Sequence, residues 1–170
     1  MKIVLTMILV AICALAGFAQ ADFEKDFEKD FEKNKLKYKL EKFSQGEDAS
    51  SGYDYFFYKD KTQIVKVREV WSSSANPTHR IEDYFYSNGK LIAVLKYTFD
   101  KKYYRTAERG RNVPSKLVEK LVFADSKLAN WTENGLTVPP TDKRWQEKEK
   151  DAFEAGKSQL ENYNFMKENN

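Results

Sequence analysis

The chain is short of most of the residues that enzyme chemistry relies on. Among 170 residues there are one cysteine, one histidine, four prolines and seven glycines. A single cysteine, Cys13, forms no internal disulfide, so a cross-linked scaffold is excluded. One cysteine and one histidine cannot supply a zinc site with its usual two or more His or Cys ligands. A Ser-His-Asp arrangement would have to use His79, and its setting in the loop-like run Asn76-Pro77-Thr78-His79-Arg80 predicts a solvent-exposed ring instead of a general base. The glycines hold no phosphate-binding loop of the Walker or dinucleotide type. No metal and no cofactor is expected.

Charge of one sign is also lacking. Twenty-nine basic residues against 26 acidic ones give a net charge of +3, with the signs interspersed. Nucleic-acid binding normally shows as a basic excess on one face, so no nucleic-acid partner is expected.

What is present begins with an export pattern. Lys2 gives a positive start, Ile3 to Ala16 an apolar stretch, and Ala19-Gln20-Ala21 a small-x-small cleavage site, so residues 1–21 read as a signal peptide. The apolar stretch falls short of the ~20 residues of a spanning helix, and polar sequence follows at once. Cleavage after Ala21 predicts a secreted or periplasmic protein with no membrane span. The remaining 149 residues contain no cysteine and are of single-domain size, large enough to bury a core without metal or disulfide.

Residues 22–33 repeat Asp-Phe-Glu-Lys three times, placing Phe23, Phe27 and Phe31 at helical spacing. The i,i+3 Asp–Lys pairs contribute only ~0.2–0.5 kcal/mol each, so this helix needs its Phe stripe buried, either on the domain's own sheet or on a partner. Between 34 and 43, Leu36, Tyr38 and Leu40 alternate as in a strand while Leu36, Leu40 and Phe43 repeat as in a helix. The second pattern is preferred, predicting a helix over 22–43. Residues 44–52 read as a loop.

From Tyr53 the chain turns to aromatic and β-branched runs with short polar tips, the signature of hairpins. Three superimpose: 53–70 with its tip at 59–62, 81–97 around Ser87-Asn88-Gly89, and 117–131 around Ala124-Asp125-Ser126. Phe57, Tyr84 and Leu121 correspond, at offsets of 27 and 37 residues, and the unequal offsets favour a meander over a strict repeat. After Asn134-Gly135 and an extended Pro139-Pro140 linker, Thr141 is the expected cap of a helix over 141–167. Trp145, Ala152, Phe153, Leu160 and Tyr163 share one face of it, as does Gly156, whose presence suits a close approach to the sheet. The expected fold is α+β: a curved antiparallel meander of about six strands, with hairpins over 53–131 and a helix at each end, forming a single domain over 22–170.

The run Tyr84-Phe85-Tyr86-Ser87-Asn88-Gly89-Lys90-Leu91-Ile92 resembles the hairpins of MORN-like and antitoxin-type repeat proteins. More closely, the order of a helix ending in Asn34 to Phe43, successive aromatic hairpins with a Gly-Lys-Leu-Ile exit, and a charged final helix resembles an uncharacterised family of exported bacterial proteins. That resemblance rests on turn and core residues. It implies architecture and supplies no catalytic residue.

The function predicted is therefore that of an exported, non-catalytic binding or structural protein; an inhibitor or immunity-type protein against a secreted enzyme, and a carboxylate-dependent hydrolase, are the alternatives. Alternation places Tyr53 and Tyr55, with Tyr84 and Tyr86, where one sheet face would present tyrosines to water and take up a protein or glycan. A second surface is the basic and aromatic run Lys101, Lys102, Tyr103, Tyr104 and Arg105, with Arg109 and Arg111 following, suited to an anionic glycan or acidic protein. Asp54, Glu69, Glu82 and Asp83 fall in or beside strands, where acidic residues usually face solvent or pair with a cross-strand lysine.

Overall fold

The computed structural model describes residues 28–46, 51–61 and 63–169. The chain divides into two compact units, Met1–Lys37 and Tyr38–Asn170. The export segment at 1–21 lies outside the described residues.

In the first unit residues 28–34 are helical (α1) and Lys35–Lys37 form a 3-10 turn. The described part of the Asp-Phe-Glu-Lys repeat is thus helical, with Phe31 buried. The helix stops nine residues before the expected end at 43. Asn34 contributes to the stop by donating its side-chain amide back to the Asp30 carbonyl at 2.9 Å.

The second unit is built on one antiparallel sheet in which every strand pairs with its sequence neighbour. The strands are β1 (Lys39–Gly46), β2 (Ser51–Asp60), β3 (Gln63–Ser73), β4 (Thr78–Ser87), β5 (Lys90–Asp100), β6 (Ser115–Ala124), β7 (Lys127–Glu133) and β8 (Leu136–Val138). A short helix, α2 (Tyr104–Ala107), lies between β5 and β6, and α3 (Trp145–Glu168) follows the sheet.

Eight strands replace the expected six, because both ends of the meander extend further than the aromatic runs do. At the first end the strand pattern of residues 39–46 wins over the helical one. Pairing Leu40 with Tyr58 and Phe43 with Tyr55 places Phe43 edge-on to Phe57, ring centres 5.8 Å apart, and against Tyr163 of α3. At the other end Asn134 and Gly135, at φ 52° and 82°, make the expected turn, and it is a hairpin tip that folds Leu136–Val138 back onto β7 as a further strand. Asn88 and Gly89 do the same between β4 and β5, at φ 51° and 73°. Register shifts in the β2–β3, β4–β5, β5–β6 and β6–β7 pairs mark bulges, which bend and twist the strands.

The main core lies between one sheet face and α3. Tyr55, Phe57, Val67, Tyr84, Tyr86, Val94, Leu121, Phe123 and Trp131 meet Ala152, Tyr163 and Met166. Each such large apolar side chain contributes roughly 1.5–3 kcal/mol on burial. The start of α3 is organised by Asp142, not Thr141: its carboxylate accepts from the Arg144 amide at 2.9 Å and its carbonyl from the Trp145 amide at 3.0 Å. Midway along, Gly156 lets the helix settle on the sheet, since a Cβ there would stand 2.9 Å from Leu91 Cδ2. The Gly156 carbonyl accepts from the Tyr86 hydroxyl at 2.7 Å.

Candidate functional site

The tyrosine surface expected from alternation is not open. Tyr55, Tyr84 and Tyr86 are buried on the face that α3 covers, and Tyr53 is half-buried with its ring stacked on Tyr55. The correction has a simple cause. The long helix of this unit carries an apolar stripe, and it packs that stripe against the rings of this sheet face.

The opposite face is also buried where it is apolar, at Phe56, Val70, Ile81, Phe85, Leu95 and Val122. Set among these side chains is an ionic cluster. Asp83 accepts two hydrogen bonds from Arg68, both at 2.7 Å, and meets Lys66 at 2.8 Å. Burial by itself would raise the Asp83 carboxyl, but Arg68 and Lys66 hold it well below the usual carboxylate range. Asp54 and Asp83 are buried, and of the two expected arrangements each takes the pairing with a lysine of a neighbouring strand, Lys42 at 3.0 Å and Lys66 at 2.8 Å; Glu82 likewise sits opposite Lys96, at 3.8 Å.

Residues 101–114, the β5–β6 connection, cross part of this second face and are fastened to it. Asp100 caps the 3-10 turn Lys101–Tyr103 by accepting from the Lys102 amide at 2.9 Å. The Tyr104 hydroxyl donates to Asp54 at 3.0 Å, Ala107 is buried, and Asn112 accepts from Arg68 at 3.1 Å. Gly110, at φ 69°, brings the backbone against the Phe56 ring, where an added Cβ would be 3.1 Å away. His79 lies under the same connection and is only 2% exposed, between the rings of Phe99 and Tyr104, each 5.5 Å off. The expectation of an exposed loop histidine fails because β4 begins at Thr78, which makes residue 79 an inward position.

Anchored in this way, the connection holds its cations outward. Lys101, Lys102, Arg105, Arg109 and Arg111 are exposed and Tyr103 and Tyr104 half-buried, so the structure brings together the whole basic and aromatic run read from the sequence. Five basic residues stand here against the single acid Glu108, more net positive charge than the +3 of the entire chain. Lys102 pairs with Asp100 at 3.4 Å and Lys101 donates to the Ser74 carbonyl at 2.8 Å. Arg105, Arg109 and Arg111 have no carboxylate partner among the described residues. At the foot of the connection lies an open trough of about 470 Å³, walled by Pro77, Thr78, Thr98, Asp100, Ser115 and Lys116 among others. The trough was not legible in the sequence, because its hydroxyls come from three different strands.

A second polar region lies under α3. Successive register positions set Glu69, Glu82, Lys96, Glu119 and Glu133 side by side across β3 to β7. Glu119 accepts from the Trp131 indole at 3.1 Å and meets Lys148 at 2.9 Å, Glu82 accepts from Tyr84 at 2.7 Å, and Gln159 donates to Glu69 at 2.6 Å. Each carboxylate named here is already engaged by a donor of the fold, which is the arrangement of a structural network. A cleft of about 200 Å³ adjoins it, lined by Glu82, Lys96, Lys148 and Asp151 over an apolar floor.

Among the described residues no group of three or more His, Cys, Asp or Glu side chains is placed to hold a metal, and no helix is long and apolar enough to cross a membrane. Comparison with known proteins gives no match: none to a family model, none to a curated protein and none to a solved structure.

Proposed function

We propose that the protein is an exported, non-catalytic binding protein that holds an anionic glycan on the β5–β6 connection and in the trough at its foot. One observation carries this reading: Arg105, Arg109 and Arg111 have no carboxylate partner among the described residues and stand on a connection tied down by Tyr104, Ala107, Gly110 and Asn112. Guanidinium groups match carboxylate, sulfate and phosphate geometry, and holding them on an anchored backbone lowers the ordering cost of binding. A glycan is favoured over an acidic protein by the trough. It is open and bordered by Thr78, Thr98 and Ser115, which suits a chain of hydroxylated rings carrying charge. Export, the secreted or periplasmic location and the absence of catalysis are parts of the same proposal, resting on the N-terminal pattern and on the engaged state of the carboxylates.

The test is retention of the purified protein on immobilised alginate, with neutral dextran as control, for the wild type and an Arg105→Gln, Arg109→Gln, Arg111→Gln variant. Salt-sensitive retention on alginate alone, weakened on the order of tenfold or more in the variant, supports the proposal. Equal behaviour of the two proteins, or no retention of either, overturns it. Capture of a specific acidic protein from the cell envelope by the wild type, without alginate retention, would replace the glycan with a protein partner of the inhibitor type. Hydrolysis of a glycan by either protein would refute the non-catalytic part.

A further inference from the structure

Glu69 and Gln159 join the sheet directly to α3. Glu69 lies on β3, half-buried, and its Oε2 accepts from Gln159 Nε2 at 2.6 Å. Gln159 is itself 6% exposed, and its other polar atom, Oε1, is buried with no hydrogen-bond partner among the described residues. An orphaned buried carbonyl costs about 1–3 kcal/mol, so its presence calls for a donor. The carboxyl already bonded to the same amide can supply one once it is protonated. A protonated carboxylic acid and a primary amide pair face to face through two hydrogen bonds, amide N–H to carboxyl oxygen and carboxyl O–H to amide oxygen.

We propose that Glu69 carries a proton in the folded protein at neutral pH and below, and that the resulting acid–amide pair with Gln159 is a pH-dependent clamp between β3 and α3. The surroundings favour the neutral form. Glu82 stands directly opposite on β4, a like charge, and its own carboxylate is engaged by the Tyr84 hydroxyl at 2.7 Å. Tyr55 is the opposite neighbour on β2 and brings no charge. From α3 the facing group is Gln159. Arg80 on β4 and Lys96 on β5 favour the charged form, but Lys96 is shared with Glu82 at 3.8 Å and Glu119 at 3.4 Å, and Arg80 stacks on Trp71 at 4.7 Å. Burial and the Glu82 charge together push the Glu69 carboxyl up from 4.5 to about 7.

The sign follows. A carboxyl whose folded pKa lies above its unfolded one binds more protons when folded, so its contribution to stability is complete below 4.5 and is lost as pH rises through about 7. Ionisation removes the donor to Oε1 and sets two carboxylates opposite each other beneath the helix.

The experiment follows the side-chain carboxyl carbon of Glu69 by NMR titration of the full chain, with Glu69→Gln for assignment, and measures unfolding midpoints of Gln159→Leu and Glu69→Gln at about pH 5 and about pH 8. Expected are a Glu69 titration near neutrality, a larger midpoint loss for Gln159→Leu at the lower pH, and a Glu69→Gln midpoint that gains on the wild type as pH rises. A Glu69 titration in the ordinary carboxylate range overturns the proposal. So does a Gln159→Leu loss that is the same at both pH values, since a merely structural amide would behave that way.

Discussion

Arg68 on β3 and Asp83 on β4 stand directly opposite in the sheet register and close a two-point hydrogen bond, Nε to Oδ1 and Nη2 to Oδ2, each 2.7 Å long. Lys66 meets the same carboxylate at 2.8 Å, so one buried anion serves two cations on a face otherwise lined by Phe56, Phe85 and Leu95. Deleting the anion leaves both cations in an apolar setting, which is worse than deleting the whole cluster. Asp83→Asn is expected to cost about 3–5 kcal/mol in urea unfolding, while a Lys66→Met, Arg68→Met, Asp83→Leu triple variant costs much less. A triple variant as unstable as Asp83→Asn would contradict this reading.

The same pair sets the acid limit of stability. The depressed Asp83 carboxyl contributes fully above the ordinary value of 3.8, and its contribution is lost as pH falls below that value towards the folded one. Thermal unfolding midpoints of the wild type should therefore drop steeply below about pH 4, and those of the triple variant less so.

Gly156 tests how closely α3 is seated. In an exposed helix Gly→Ala gains about 1 kcal/mol. Here the new Cβ meets Leu91 Cδ2 at 2.9 Å and Cδ1 at 3.1 Å, and Leu91 is buried and not free to swing away. Overpacking of this kind costs about 1–3 kcal/mol, enough to reverse the sign. Gly156→Ala should destabilise the protein, and Leu91→Ala should relieve much of that effect in a double-mutant cycle.

His79 contributes a pH dependence of the opposite sense to Glu69. Burial, followed by the nearby Lys101 charge, lowers its pKa from 6.5, outweighing the Asn76 backbone and the Asp100 charge, which favour the protonated ring. The neutral ring suits the fold, so stability falls as pH drops through 6.5, where the unfolded chain takes up the proton first. His79→Phe keeps a ring between Phe99 and Tyr104 and is expected to be within about 1 kcal/mol of wild type at pH 7, with a flatter profile between about pH 7 and 5. An unchanged slope in differential scanning calorimetry would show that the residue does not titrate in this range.

Much of the fold was legible in the residues. Asn88-Gly89 and Asn134-Gly135 carry the positive φ of tight hairpins in their own chemistry, the aromatic runs mark β2 to β7, and the stripe from Ala152 to Tyr163 marks the buried face of α3. The basic run from Lys101 to Arg111 was equally visible, because clustered charge is a property of the chain itself. Two strands escaped. The segment leading into β1 carries two competing periods, Leu36, Tyr38 and Leu40 alternating as in a strand and Leu36, Leu40 and Phe43 repeating as in a helix, and β8 is three residues long, too short for any period.

What the tertiary structure decided is which face is covered and which charges are enclosed. Alternation placed Tyr55, Tyr84 and Tyr86 on one face but could not say that α3 lies there, since either face of this sheet offers apolar rings to a helix. Nor could it bring Arg68, Asp83 and Asn112 together, or Glu69 and Gln159, whose separations along the chain reach 90 residues. Local patterns set turns, strands and clustered charge because those depend on neighbours in sequence. The burial of an ion pair, the neutrality of a carboxyl and the exposure of an arginine depend on which distant segment excludes the water, and that is settled when the meander pairs and the helix docks.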